Sequence, residues 1–241
     1  MIQKLRAGLD RLPDLVASRR VRQSTLQVLP FWFAGALTGL VAVGYAQIFR
    51  VLERRFDVAT SEAPWLLFVL CPLAFLGSWA LVHLFSPEAA GSGIPQLMAA
   101  TTPDIGERAI NRLLGARAAV IKILSSTLIV AGGGAIGREG PTLQISGAIF
   151  RGVQSRLPAF WPRAPMSSMV LAGGAAGLAA AFNTPLGGIV YAIEELARSH
   201  IGSFRSGVLH AVLVAGIVAQ IVLGPYLYLG FPRLGIWTNQ D

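Results

Sequence analysis

Charged residues and cysteine are scarce in this 241-residue sequence. Asp, Glu, Lys and Arg make up 13% of the chain, against about 25% in soluble domains, and hydrophobic residues make up 54%. The one cysteine, Cys71, lies in an apolar segment, which excludes an internal disulfide and a cysteine metal site. The histidines lack metal-ligand spacing, and no G-x-S-x-G nucleophile elbow is present. We therefore expect a protein that is not an enzyme and that needs no metal or cofactor.

Long apolar segments take the place of the missing charges. Four segments contain no Asp, Glu, Lys or Arg: 24–49, 63–87, 164–193 and 206–232. A fifth segment, 113–137, is interrupted only by Arg117 and Lys122. A helix needs roughly 20 apolar residues to span a bilayer, and these segments lack the alternating pattern of barrel strands. The sequence predicts an all-α polytopic membrane protein.

Basic residues concentrate near the N-terminus. The formal net charge is +8, and six basic residues outweigh Asp10 and Asp14 at the start of the chain: Lys4, Arg6, Arg11, Arg19, Arg20 and Arg22. By the positive-inside rule, we expect a cytoplasmic N-terminus, with residues 1–25 forming an amphipathic segment at the membrane surface. Elsewhere the basic residues are scattered between apolar spans, which argues against a nucleic-acid partner.

Glycine and proline divide the apolar sequence into helices of unequal length. We predict helices over about 30–49, 64–85, 141–151, 166–181, 185–198 and 206–224, with a polar connection over 50–62. Short, interrupted helices are tolerated in a bilayer only where irregular backbone is buried in protein or lines a wet cavity. Paired breaks of this kind are typical of a transporter site near the midplane. Gly173 and Gly177 are expected to allow close helix packing.

Two of the breaks have the same form. GSGIP at 91–95 and GREGP at 137–141 each place a proline four residues after a glycine, where it can open a helix. A helix that begins there directs free N–H groups and a partial positive charge at the residues before it, which favours an anion. Ser92 adds a hydroxyl donor without adding a charge. The alternative is that Ser92 only caps a helix and the glycines are hinges.

Glu139 is a carboxylate in the second break, where the same helix dipole would attract a free anion. The side chain and a solute anion would therefore compete for one place. Protonation of Glu139 would remove this competition and would couple proton occupancy to anion occupancy. The alternative is a surface ion pair between Arg138 and Glu139.

Two further charged features lie within apolar sequence. Glu194 and Glu195 end the run PLGGIVYAIEEL, where one carboxylate could accept protons or could pair with Arg198 at a helix end. Lys122 interrupts an apolar span, which is costly unless the ammonium meets a partner or water. We expect Lys122 either to pair with a carboxylate or to set a positive potential along an anion path.

Three motifs carry a family resemblance. GSGIP at 91–95, GREGPT at 137–142 and AAAFNTPLGGIVYAIEEL at 179–196, in this order, resemble the CLC family of chloride channels and chloride/proton exchangers. The resemblance covers about 20–230 and implies the N-terminal half of an inverted-repeat fold with short, broken and tilted helices. It divides the chain into the segment 1–25, a transmembrane half-domain over 26–230 and a truncated tail over 231–241.

The resemblance also implies roles for individual residues. The expected anion-binding residues come from the two helix starts: Ser92, Gly93, Ile94, Arg138, Glu139 and Gly140. Glu139 matches the gating glutamate, and Glu195 matches the internal proton-transfer glutamate of exchangers. Lys122 would act on the electrostatics of the pathway. The tyrosine and the G-x-F-x-P motif that complete the central anion site belong to the second half of the family fold.

The resemblance implies chloride transport, as a chloride/proton antiporter that is incomplete without its C-terminal half. A passive channel of the same family is one alternative, and a non-transporting assembly subunit or truncated fragment is another. Chloride and protons would be the transported ions. The expected partners are the lipid bilayer and either a second copy, with 185–198 and 206–224 at the dimer interface, or a chain that supplies the missing half. The expected location is a bacterial inner membrane.

Overall fold

A computed structural model of the chain describes residues 12–102, 105–191, 194 and 206–223. Regular structure in these residues is helical, without β-strands, which confirms the all-α prediction for this part of the chain. The α-helices are α1 Leu12–Glu62, α2 Leu67–Phe85, α3 Ile94–Thr101, α4 Glu107–Leu113, α5 Ala116–Ala131, α6 Glu139–Arg156, α7 Met166–Phe182, α8 Pro185–Tyr191 and α9 Ser206–Leu223.

Helix α1 is longer than the sequence predicted. It runs without interruption over 51 residues to Glu62, so the expected polar connection over 50–62 is wrong. That segment contains neither glycine nor proline, and charged residues such as arginine and glutamate are good helix formers. The helix ends only before Ala63, whose non-helical backbone angles, φ −140° and ψ 82°, suit a residue that precedes proline.

Three stretches are long and apolar enough to cross a membrane: Leu26–Glu62, Pro64–Phe85 and Glu107–Ala131. The second confirms the predicted span over 64–85, which opens with a 3-10 turn at Pro64–Leu66 and continues as α2. A proline suits such a start because the first N–H groups of a helix have no partner within it. Helices α7 and α9 are shorter apolar helices.

Helix α6 begins two residues before the predicted start and ends later than the predicted end. It runs from Glu139 to Arg156, whereas the sequence suggested 141–151. The N–H groups of the first helical turn have no partner within the helix, so proline, which lacks an N–H, is tolerated there. Pro141 is therefore compatible with a helix that starts at Glu139. The helix stops at Leu157 because this residue precedes Pro158 and adopts an extended conformation.

The core lies where α6, α7, α9 and α1 pack against one another. Glycines permit the closest approach. A Cβ atom at Gly173 on α7 would lie 2.9 Å from the Cα atom of Gly147 on α6, and a Cβ atom at Gly177 would overlap the Ser146 hydroxyl. This geometry confirms that Gly173 and Gly177 allow close helix packing. Helix α6, which carries Glu139, is thereby held against α7.

We expect Gly173→Ala to destabilise the protein, because the added methyl group meets only backbone atoms of Ser146 and Gly147. The expected cost is about 1–3 kcal/mol, as for other overpacked cores. Thermal unfolding in detergent measures it. Gly44→Ala is the matched control, since no atom lies within 4 Å of a Cβ built at Gly44. Equal melting temperatures for the two variants would contradict the packing described here.

Candidate anion site

The starts of α3 and α6 meet inside the helix bundle. Gly93 precedes α3 with a φ of 99°, which glycine adopts readily, and Pro95 lies in the first turn. A Cβ atom at Gly140, in the first turn of α6, would lie 2.6 Å from the Ser92 carbonyl oxygen. The two predicted helix starts therefore touch, and both require glycine at the contact.

A cleft of about 770 Å³ lies beside this contact. Five of the residues singled out from the sequence line it: Ser92, Ile94, Lys122, Glu139 and Gly140. The opposite wall is formed by apolar and hydroxyl side chains of α2 and α5, including Trp79, Ser125 and Ser126. The cleft thus combines two helix N-termini, small hydroxyl donors and one carboxylate.

The other three residues of the predicted site do not line this cleft within the described structure. Gly93 packs instead against Gln144, whose Cβ atom would lie 2.8 Å from a Cβ atom at Gly93. Arg138 lines a neighbouring cavity of about 370 Å³ with Glu53. Glu195 lies outside the described residues.

Ser92 has capacity left for an anion. Its Oγ atom accepts a hydrogen bond from the Ile94 backbone N–H at 3.3 Å, although Gly93 is the N-cap residue of α3. A serine hydroxyl has one donor hydrogen in addition to its acceptor lone pairs. Accepting this bond leaves the donor hydrogen for a solute anion.

Glu139 is the first residue of α6, and its carboxylate turns back over the preceding loop. A Cβ atom at Gly137 would lie 2.6 Å from Glu139 Oε2. The side chain is half-buried and lines both the cleft and the neighbouring cavity that contains Arg138. The carboxylate therefore occupies the positive end of the α6 dipole, where an anion would also be stabilised.

Lys122 is 2% exposed, and its ammonium holds the loop before α3. The Nζ atom donates a hydrogen bond to the Gly91 carbonyl oxygen at 2.8 Å. Of the two alternatives for Lys122, pairing with a carboxylate is not observed among the described residues, where its partner is this backbone oxygen. The ammonium lines the cleft and contributes positive charge there.

Sequence reasoning missed Gln144, which ties three segments together. Its side chain is 0% exposed, and Nε2 donates to the Glu88 carbonyl oxygen at 3.0 Å and to the Leu113 carbonyl oxygen at 2.9 Å. These bonds connect α6 to the loop before α3 and to the end of α4. The available signal was a polar amide within the apolar helix interior PTLQIS, where buried polar groups need partners.

Glu88 fixes the same loop from its exposed side. The Arg112 guanidinium donates to Glu88 Oε1 from Nε at 2.8 Å and from Nη2 at 2.7 Å. A hydrogen bond from its own backbone N–H and then those from Arg112 lower the pKa of the Glu88 carboxyl. The carboxylate is therefore held ionised, and the loop that leads to Ser92 is anchored to α4.

Comparison with known proteins assigns the family. The sequence pattern described as "Voltage gated chloride channel" matches residues 73–240, which is more than half of the chain. The chain belongs to the voltage-gated chloride channel family. As a member with three helices long enough to span a bilayer, it is an integral membrane protein.

Curated relatives share about a third of their residues with this chain. It is 37% identical over 210 residues to the H(+)/Cl(-) exchange transporter ClcA of Vibrio cholerae, covering 83% of this chain and 43% of that protein. It is 34% identical over 205 residues to ClcA of Salmonella arizonae, covering 79% of this chain and 41% of that protein. The chain thus spans less than half the length of these relatives.

A solved structure has the same fold. The crystal structure of a slow cyanobacterial Cl-/H+ antiporter superposes with a TM-score of 0.68 at 23% sequence identity. The match covers 84% of this chain and 48% of the antiporter chain. This likeness confirms that the helices adopt part of the CLC fold, as the three motifs predicted.

Proposed function

We propose that this chain provides the N-terminal half of a chloride/proton exchanger. The observation that carries the proposal is the cleft where the starts of α3 and α6 meet, with the Ser92 hydroxyl and the Glu139 carboxylate on its wall. Two helix N-termini attract an anion through their partial positive charges. The names of the Vibrio cholerae and Salmonella arizonae relatives agree with this assignment.

The proposed coupling of chloride to proton transport rests on competition between chloride and the Glu139 carboxylate for one site. Chloride accepts hydrogen bonds from Ser92 and from backbone N–H groups of the helix starts, where the dipoles favour negative charge. The Glu139 carboxylate occupies the positive end of α6 and excludes the anion while it is ionised. When it takes up a proton, it loses its electrostatic hold and admits chloride, so the two ions move alternately.

A second carboxylate would connect this gate to the other side of the membrane. We assign that proton transfer to Glu195, the second glutamate of the pair that ends PLGGIVYAIEEL. Its neighbour Glu194 is exposed. Lys122 and Arg138 would add positive potential near the path, Lys122 from the cleft wall and Arg138 from the neighbouring cavity.

The assembly belongs to the same proposal. The family fold is an inverted repeat, so its second half would complete the anion coordination. We also propose a homodimer that uses the last helices of this half. A bacterial inner membrane with a cytoplasmic N-terminus fits the basic residues of 1–25.

Chloride-dependent proton flux in liposomes tests the proposal. The chain is reconstituted alone and together with the C-terminal half of the Vibrio cholerae relative, supplied as a separate chain. We expect coupled flux in the two-chain sample. Glu139→Ala should leave chloride flux without protons, because no carboxylate remains to carry them, and Glu195→Gln should abolish proton flux.

The outcomes of that experiment distinguish an exchanger from a passive channel and from an assembly subunit. Chloride flux that stays uncoupled in the unmodified protein would favour a passive channel over an exchanger. Absence of flux in both samples, from chains that are folded and inserted, would contradict a transport role and favour an assembly subunit. Flux from the chain alone would show that two copies can build the pathway.

A further inference from the structure

A second cavity lies far from the candidate anion site, near the other end of α6. Its volume is about 410 Å³, within the range of small-ligand pockets. It is lined by residues of α4, α6 and the loop before α7, including Glu107, Arg151, Gln154 and Arg163. Arg151 follows Glu139 by 12 positions, which places it about 18 Å away along the helix axis. The proposed transport mechanism uses none of these residues.

Both signs of charge line this cavity. Arg151 is half-buried and interacts electrostatically with Glu107 on α4, while Arg163 contributes a second guanidinium. Arg163 donates to the Leu157 carbonyl oxygen through Nη2 at 2.8 Å, which holds the group beside the cavity. A guanidinium carries five N–H donors, so both arginines keep donors for a ligand.

Gln154 fixes one wall of the cavity. The side chain is only 4% exposed, and its Nε2 donates to the Ala164 carbonyl oxygen. This bond holds the loop before α7 against α6.

The cavity lies at the boundary between membrane and water. Glu107 is the first residue of the candidate span Glu107–Ala131. Trp161, in the loop after α6, donates from Nε1 to the carbonyl oxygen of Leu26 in α1 at 2.9 Å. This contact ties the loop beside the cavity to α1, and tryptophan is enriched at the membrane–water interface.

We propose that this cavity binds the phosphoethanolamine headgroup of a membrane phospholipid. The phosphate would lie between Arg151 and Arg163, whose planar donors match phosphate geometry. The ammonium would donate to the Glu107 carboxylate. Ile110 and Met166 provide an apolar edge against which the glycerol backbone packs.

The charge pattern selects a zwitterionic headgroup. A headgroup with a phosphate alone would place its negative charge near Glu107 and would bring no cation for that carboxylate. A choline headgroup carries positive charge but no N–H, so it cannot donate a hydrogen bond to the Glu107 carboxylate. Phosphatidylethanolamine supplies both the phosphate and three N–H donors.

Native mass spectrometry of the full chain tests the proposal, with one phospholipid added at a time in detergent. We expect Arg151→Gln and Arg163→Gln each to weaken phosphatidylethanolamine binding by about tenfold or more, as expected for loss of a charge-assisted hydrogen bond. Arg108→Gln is the matched control, because Arg108 is an exposed residue of α4 that does not line the cavity. Equal binding by Arg151→Gln and Arg108→Gln would overturn the proposal.

A comparison of two lipids tests the proposed contacts of the headgroup ammonium. The unmodified chain should bind phosphatidylethanolamine more tightly than phosphatidylcholine, and Glu107→Gln should reduce that preference severalfold. Glu107 is exposed, so this variant leaves the core intact. No preference in the unmodified chain would overturn the headgroup assignment. Displacement of the lipid by millimolar inorganic phosphate would also overturn it, in favour of a soluble-phosphate site.

Discussion

The Glu139→Gln chain is expected to bind chloride at least about tenfold more tightly than the unmodified chain. The carboxylate occupies the positive end of α6 and lines the same cleft as Ser92. Two negative charges about 4 Å apart repel by about 4 kcal/mol near a protein surface, so its neutral isostere releases the place to the anion. Isothermal titration with chloride in detergent at neutral pH measures the change.

A control variant distinguishes competition between Glu139 and chloride for one site from a general effect of net charge on chloride affinity. Glu62→Gln removes one negative charge at the exposed end of α1, away from the cleft. We expect it to leave chloride affinity unchanged within about twofold, because screening in salt weakens distant charges. Equal tightening in the two variants would show that Glu139 acts only through net charge.

The Gln144→Leu chain is expected to lose about 1–3 kcal/mol of stability. The change removes the amide donor of the Leu113 carbonyl oxygen, whereas the Glu88 carbonyl oxygen loses one donor and keeps the hydrogen bond from Gln96 Nε2 at 3.3 Å. Because these bonds anchor the loop before α3, chloride binding at Ser92 should weaken as well. Thermal unfolding monitored by tryptophan fluorescence measures the stability.

An exposed glutamine supplies the control for that change. Gln220 lies on the exposed face of α9, and Gln220→Leu should shift stability by no more than about 0.5 kcal/mol. A Gln144→Leu chain as stable as Gln220→Leu would contradict the role of Gln144 in fixing the loop. A Gln144→Leu chain that is destabilised but still binds chloride normally would separate folding from the site.

Local signals predicted the interior helices well. The span over 64–85 and the helix over 166–181 follow from proline at the start and from long apolar runs between breakers. The same rule failed at α1, where the change from apolar to charged residues was taken as the helix end. Polarity marks where a helix leaves the bilayer, whereas backbone geometry decides where it stops.

The candidate site was predictable in its parts rather than in its arrangement. The proline positions in GSGIP and GREGP indicated two helix starts, and the family resemblance singled out Ser92 and Glu139. The contact between Gly140 and Ser92 depends on tertiary packing across 48 positions of sequence, which local patterns do not encode. Gln144 was missed for the same reason, because both of its partners are distant in sequence.

The helix-start site itself can be observed directly with bromide, which substitutes for chloride and scatters anomalously. Crystals of the Glu139→Gln chain are soaked in bromide, and anomalous difference density is measured. We expect a peak in the cleft within hydrogen-bond distance of Ser92 Oγ and the first N–H groups of α3 or α6. Ordered bromide elsewhere on the protein, with no peak in this cleft, would contradict an anion site at the helix starts.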